Sequence, residues 1–303
     1  MWFRFPWKFS MLLVIPILTG LLSWAGLVGC APGLGQETRP SGEEAVVPST
    51  APDEGLVEAE KAENPEAEVL VLLDSLERSA DDLTGFTAQL HFEDWDELLG
   101  RRIIRLGEMI YVHAGKGEDK KFAILFSSQI VNRRKETRLR HYIFDGRWLA
   151  EIDHENKQFI NREIVAPGES FDPLKLGEGP FPVPIGQSRV EVMKRFLVSR
   201  IPLPEEGSLG KLRGKYAVDG LRMVPREGTP EAKEYARIDL FFDRATRLPV
   251  GIEVIELNGD RKTVRFSEMK RNPELGDEER AKLDITEPDD PKWRKDIRAW
   301  GGG

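Results

Sequence analysis

The 303-residue chain predicts an α+β protein, mainly β, in which one strongly curved antiparallel sheet is covered by helices. Three observations carry this expectation. About ten strand-like runs follow one another with short loops, which favours antiparallel neighbours. Asp145-Gly146 and Asn258-Gly259 are tight-hairpin signals between apolar runs. Only two segments show the spacing of an amphipathic helix. An open sheet of this size twists and curls, because each strand carries a right-handed twist.

The chain opens with Arg4 and Lys8 ahead of an uncharged run from Met11 to Val28, the positive and apolar regions of a secretory leader. Cys30, the single cysteine, follows Leu27-Val28-Gly29. This stretch resembles the bacterial lipoprotein box, which implies cleavage before Cys30 and acylation of its thiol, a group with a pKa of about 8.5. Ala31, in place of an acid, resembles the class sorted outward, which implies the outer membrane. A retained anchor is the alternative, since about 18 apolar residues can span a thin bilayer. Either way the bulk of the chain lies across the membrane, and without a second cysteine its domain must rely on its core.

Residues 1–29 are therefore read as a lipoprotein signal peptide, 30–67 as a disordered acidic tether, 68–273 as the folded domain and 274–303 as a polar tail. The tether carries Pro32, Pro40, Pro48, Pro52 and Pro65 within or beside it, many acids against Arg39 and Lys61, and no aromatic residue. Such a segment buries too little apolar surface to offset chain entropy. The formal charge is −8 and becomes more negative once Arg4 and Lys8 leave. That argues against nucleic acid as a partner, because its binding needs many cations on phosphates.

The first helix is expected after Asn64 and Pro65, with Val69, Leu72, Leu73, Leu76, Ala80 and Leu83 on one face. Strand runs follow at Phe86 to Phe92, Arg102 to Val112, Phe122 to Ile130, Thr137 to Phe144, Arg147 to Ile152 and Gln158 to Val165. Pro180, Pro182 and Pro184 cannot donate to a ladder, so their segment is a stiff loop. Ser188 and Glu191 then form a capping-box pair for a second helix through Val192, Met193, Phe196 and Leu197. Gly214 to Val224, Tyr235 to Asp243, Leu248 to Leu257 and Lys262 to Met269 complete the sheet, the last two alternating apolar and polar residues. Beyond them the chain turns polar, with Trp293 and Trp300 its large apolar anchors.

In the order of these elements the chain resembles the LolA/LolB group of outer-membrane lipoprotein carriers and receptors. The resemblance is carried by Leu106-Gly107-Glu108-Met109-Ile110-Tyr111, Phe144-Asp145-Gly146-Arg147-Trp148-Leu149, Phe242-Asp243-Arg244-Ala245-Thr246-Arg247-Leu248-Pro249-Val250 and Asn258-Gly259-Asp260-Arg261-Lys262-Thr263-Val264-Arg265-Phe266. It implies an incomplete barrel whose interior receives acyl chains of lipoproteins or phospholipid. Each methylene removed from water contributes roughly 0.8 kcal/mol. The residues expected to line that interior are Met109, Tyr111, Phe126, Phe144, Trp148, Val183, Ile185, Met193, Phe196, Phe242, Val250 and Ile252. A lipid-anchored member matches the receptor arrangement, which implies a soluble carrier protein as partner, and no cofactor or metal.

Two other functions fit the residues. One is an envelope sensor or protein-binding module that fills its core and exposes a groove. The other is a carboxylate-dependent periplasmic hydrolase, for which Asp94-Trp95-Asp96-Glu97 is the most suggestive cluster. A charged hairpin with Trp95 tucked beneath it is the plainer explanation of that cluster. His91, His113, His141 and His154 show no helical metal-site spacing, and no Gly-x-Ser-x-Gly elbow occurs. The expectation is a protein that binds without catalysing.

Overall fold

A computed structural model describes residues 65–113, 120–169 and 186–301. The leader, Cys30 and residues 31–64 lie outside the described residues, as do Val183 and Ile185. No helix among the described residues is long and apolar enough to cross a membrane.

Helix α1 (Pro65–Arg78) places Glu66 and Glu68 in its first turn and Arg78 in its last, which complements the helix dipole. Its Val69, Leu72, Leu73 and Leu76 are buried. Six strands follow as a meander: β1 (Gly85–Asp96), β2 (Arg101–His113), β3 (Lys120–Val131), β4 (Arg134–Phe144), β5 (Trp148–Asp153) and β6 (Gln158–Glu163). Asp145 pins the β4–β5 turn by accepting the backbone N–H groups of Arg147 and Trp148 at 2.9 and 2.7 Å. The β3–β4 turn bends through Asn132 and Arg133, both at positive φ, as two-residue primed hairpins require.

Helix α2 (Arg189–Arg195) is shorter than its sequence pattern suggests, because Phe196 already adopts extended backbone and begins β7 (Phe196–Ile201). Ser188 makes no side-chain cap. Instead α1 supplies the anchors: the Arg189 N–H donates to the Glu77 carboxylate and its guanidinium to Asp74, each at 2.8 Å. A short turn, α3 (Gly207–Gly210), delays the next strand, β8 (Val218–Pro225), which is followed by β9 (Tyr235–Asp243), β10 (Pro249–Glu256) and β11 (Arg261–Arg271). The segment read as a polar tail is built into the fold, with α4 (Asp277–Ala281) and β12 (Arg294–Arg298).

These strands form one sheet in the order β12-β6-β5-β4-β3-β2-β1-β11-β10-β9-β8-β7. This corrects the expected strongly curved, incomplete barrel of antiparallel strands. The order is linear, β12 and β7 stand at opposite edges, and β12 joins β6 in parallel, so the sheet is open and mixed. The physical reason is that both faces carry apolar residues, each covered at least in part by its own segments, so no single interior has to be wrapped.

Alternation along the paired strands sorts those faces. On one, Phe86, Leu90, Met109, Ile124, Phe126, Tyr142, Phe144, Phe266 and Leu240 are all buried. Phe122 stacks on Phe144 at 5.7 Å between ring centroids, and Phe126 meets the edge of Tyr142 at 6.3 Å. On the other, two separate clusters form. Leu209 and Leu212, around α3, pack on Phe241 and Val250. Leu283 packs on Ile110, Ala123, Ile143, Ile152 and Phe159, joined by Leu275, Ile285 and Trp293.

Candidate functional site

The two clusters leave the middle of that second face uncovered, and there a groove of about 1110 Å³ opens. Its floor is the central sheet: Gln89 and His91 from β1, Leu106 and Glu108 from β2, Leu125 from β3, His141 from β4, and Arg265 and Ser267 from β11. One wall is the segment after α3, with Lys211, Lys215 and Tyr216; the other is the C-terminal segment, with Lys282, Asp284 and Trp293.

Local packing fixes both walls. Gly251 has no Cβ because the Leu209 and Leu212 side chains would lie 2.7 and 3.0 Å from one. Arg213 ties off the same loop by donating to the Leu203 and Pro204 carbonyls at 2.7 and 2.9 Å. Across the groove, Lys282 donates to Glu108 at 2.8 Å and Lys157 to Asp290 at 2.8 Å.

The charge of the groove is unbalanced. Arg265 faces His91 directly across the β1–β11 ladder. Burial lowers the Arg265 pKa, and it lowers that of His91 too, with Arg265 as the next cause. The Nδ1 atom of His91 is buried without a hydrogen-bond partner. Among the described residues, Lys135, Lys211, Lys215 and Arg265 all line the groove, and none has a carboxylate within ion-pair distance. Glu108 is neutralised by Lys282, which leaves Glu268 and Asp284 as the other acids of the lining.

At the C-terminal wall, His154 Nε2 lies 3.3 Å from His141 Nδ1, and Trp293 meets His154 edge-on at 5.4 Å. Burial, then the neighbouring His154, pushes the His141 pKa down to about 4. Because the folded value lies below the unfolded one of about 6.5, the unfolded chain takes the proton first. Stability is thus lost as pH falls from about 6.5 to about 4. Discounted for partial exposure, the loss should be about 1–2 kcal/mol. Urea midpoints measured across this range should show that slope, and His141→Gln should flatten it; an unchanged slope would assign the proton elsewhere.

Of the residues expected to line an acyl-chain interior, Met109, Tyr111, Phe126, Phe144, Phe242 and Ile252 come together on the first face, buried. Phe196 is buried at the start of β7, and Met193 is half-buried on α2. Val250 belongs to the opposite face with Leu209, and Trp148 alternates with the inward Leu149 and so points the same way. Where α1 and α2 meet the sheet, Leu76, Val192, Leu240 and Phe242 bound a void of about 10 Å³, no more than one water needs. Trp95, in the acidic cluster, donates its indole N–H to Glu97 at 2.7 Å, so the hairpin reading accounts for it. Among the described residues no group of three or more His, Cys, Asp or Glu could hold a metal ion.

The groove lining was largely missed by sequence reasoning. Alternation in Lys262 to Met269 does put Arg265 and Ser267 on the polar side of their strand, but nothing local says that Lys211 and Trp293 close over them.

No family model matches the chain, and no curated protein matches it. Among solved structures, the crystal structure of MucB is 12% identical over 73% of this chain and 63% of that one, with a TM-score of 0.39. The Mycobacterium tuberculosis lipoprotein LppX is 9% identical over 70% of this chain and 98% of that one, at 0.36. A LolA superfamily protein from Nitrosomonas europaea is 9% identical over 69% and 96%, at 0.29. The chain spans less than two thirds of the MucB chain it matches. At these identities and scores the likenesses carry no functional argument, and the reading of function rests on the site itself.

Proposed function

We propose that this chain is a non-catalytic, periplasm-facing binding module of the bacterial envelope, anchored through lipid on Cys30, and that its ligand is a segment of another protein held in the groove on the second face. The observation that carries this reading is the groove itself: about 1110 Å³, floored by rigid central strands and walled by two separately anchored segments. That volume lies at the upper end of the roughly 300–1,000 Å³ typical of small-molecule pockets. Tyr216 and Trp293 on its walls are the residue types that dominate binding energy at interfaces.

Site-specific photocrosslinking tests it. A benzophenone amino acid at Ser267, on the groove floor, should yield discrete protein adducts in intact cells, identified by mass spectrometry. The same group at Leu98, 91% exposed in the β1–β2 turn, should not. Phospholipid adducts alone at position 267, or none, would overturn the proposal.

A further inference from the structure

Resting on that reading, we infer that the groove selects a carboxylate-rich peptide segment, read by Arg265, His91, Lys211 and Lys215. The argument is one of charge and satisfaction. The protein as a whole is acidic, at −8, yet this one concavity gathers Lys135, Lys211, Lys215 and Arg265 with no carboxylate in ion-pair reach among the described residues. Several cations elsewhere are closely paired: Arg222 grips Asp239 through two hydrogen bonds of 2.8 and 2.7 Å, and three arginines share Asp219. What sets the groove cations apart is that four of them gather around one partly buried floor without such partners.

The floor adds a second, independent sign. His91 Nδ1 is buried and unpartnered, and buried polar atoms are ordinarily satisfied by protein, water or ligand. It sits opposite Arg265, so an acidic side chain entering there would meet a guanidinium and an imidazole at once. Beside the cations the lining includes the apolar Leu106, Leu125, Ile143 and Ile152. A free phosphate would leave that surface wet. A peptide alternating acids with apolar residues would cover it while its carboxylates reach the rim, where they would also speed encounter.

Fluorescence anisotropy on the full-length, detergent-purified chain provides the test. The probes are a labelled peptide alternating glutamate and leucine, its lysine–leucine counterpart and a neutral serine–leucine peptide. The glutamate peptide should bind at least tenfold more tightly than either control, and raising salt from 50 to 300 mM should weaken it several-fold. Lys211→Glu with Lys215→Glu, both exposed positions that the fold does not use, should cost tenfold or more. His91→Gln should weaken binding less, since one donor survives. Equal binding of the three peptides, binding indifferent to the charge reversals, or displacement of the peptide by low-millimolar inorganic phosphate or by phosphatidylglycerol vesicles would overturn the inference. If protein adducts form at Ser267 while the glutamate peptide fails here, the acidic preference falls and the binding module stands; if no adduct forms, the module falls as well.

Discussion

Gly107→Ala is expected to destabilise the domain by about 3 kcal/mol or more, the largest effect of any single methyl addition in the central sheet. A Cβ at this position would lie 2.2 Å from the Leu125 carbonyl oxygen and 2.7 Å from the Phe126 Cα, both of them backbone atoms that no rotamer change can move. The approach is close because the pairing of β2 with β3 slips between Leu106 and Gly107, and that of β3 with β4 slips between Phe126 and Ser128. Strands with such irregularities bend, and glycine is the residue that lets neighbouring backbone come near. Since Gly107 also belongs to the groove floor, chemical denaturation should be measured alongside crosslinking from Ser267. An alanine variant within about 0.5 kcal/mol of the parent would mean that β3 stands further from β2 than described here.

Asp219→Asn should cost about 2–3 kcal/mol. This carboxylate is buried, and it accepts from Arg200 at 2.7 Å, Arg244 at 3.0 Å and Arg247 at 2.8 Å. Removing the charge leaves three guanidinium groups around a neutral amide. Breaking a buried pair typically costs about 3–5 kcal/mol, and the arginines' own partial exposure reduces that. Burial alone would raise the Asp219 pKa, but hydrogen bonds from Arg247 and Arg244 outweigh it and hold the carboxyl below the usual range. A depressed folded pKa gives stability that is fully present above about pH 4 and is lost as pH falls through the folded value. The gap between parent and variant in urea midpoint should therefore be widest near neutrality and close in acid. A gap that persists undiminished at low pH would show that packing, not charge, sets the cost.

Most of the meander was legible in the sequence because period-two alternation and turn chemistry are local. Tyr235 to Asp243 coincides with β9, and the Asp145-Gly146 and Asn258-Gly259 reversals fall between paired strands. What escaped was set by partners distant in the chain. Phe196 reads as the continuation of a helical stripe, yet it lies in β7, where Phe196 to Ile201 pair with Gly220 to Pro225. Residues 274–298 read as polar because few of their side chains are apolar, but Leu283, Ile285 and Trp293 suffice to pin them across a sheet whose apolar residues on that side are spread over several strands. The groove was illegible for the same reason. Its cations come from the segment after α3, from β4 and from β11, and their lack of partners is a fact of three-dimensional placement that spacing does not record.

The parallel pairing of Arg294–Arg298 with Gln158–Arg162 has a consequence for biogenesis. As the chain is made, β6 emerges well before the strand that shields its outer edge, because β7 to β11 and α4 lie between them. An unshielded strand is a template for association between copies. The nascent protein therefore passes through a window in which self-association competes with completion, and that window closes only when Arg294–Arg298 arrive. Deleting Arg294–Arg298 would leave it open permanently.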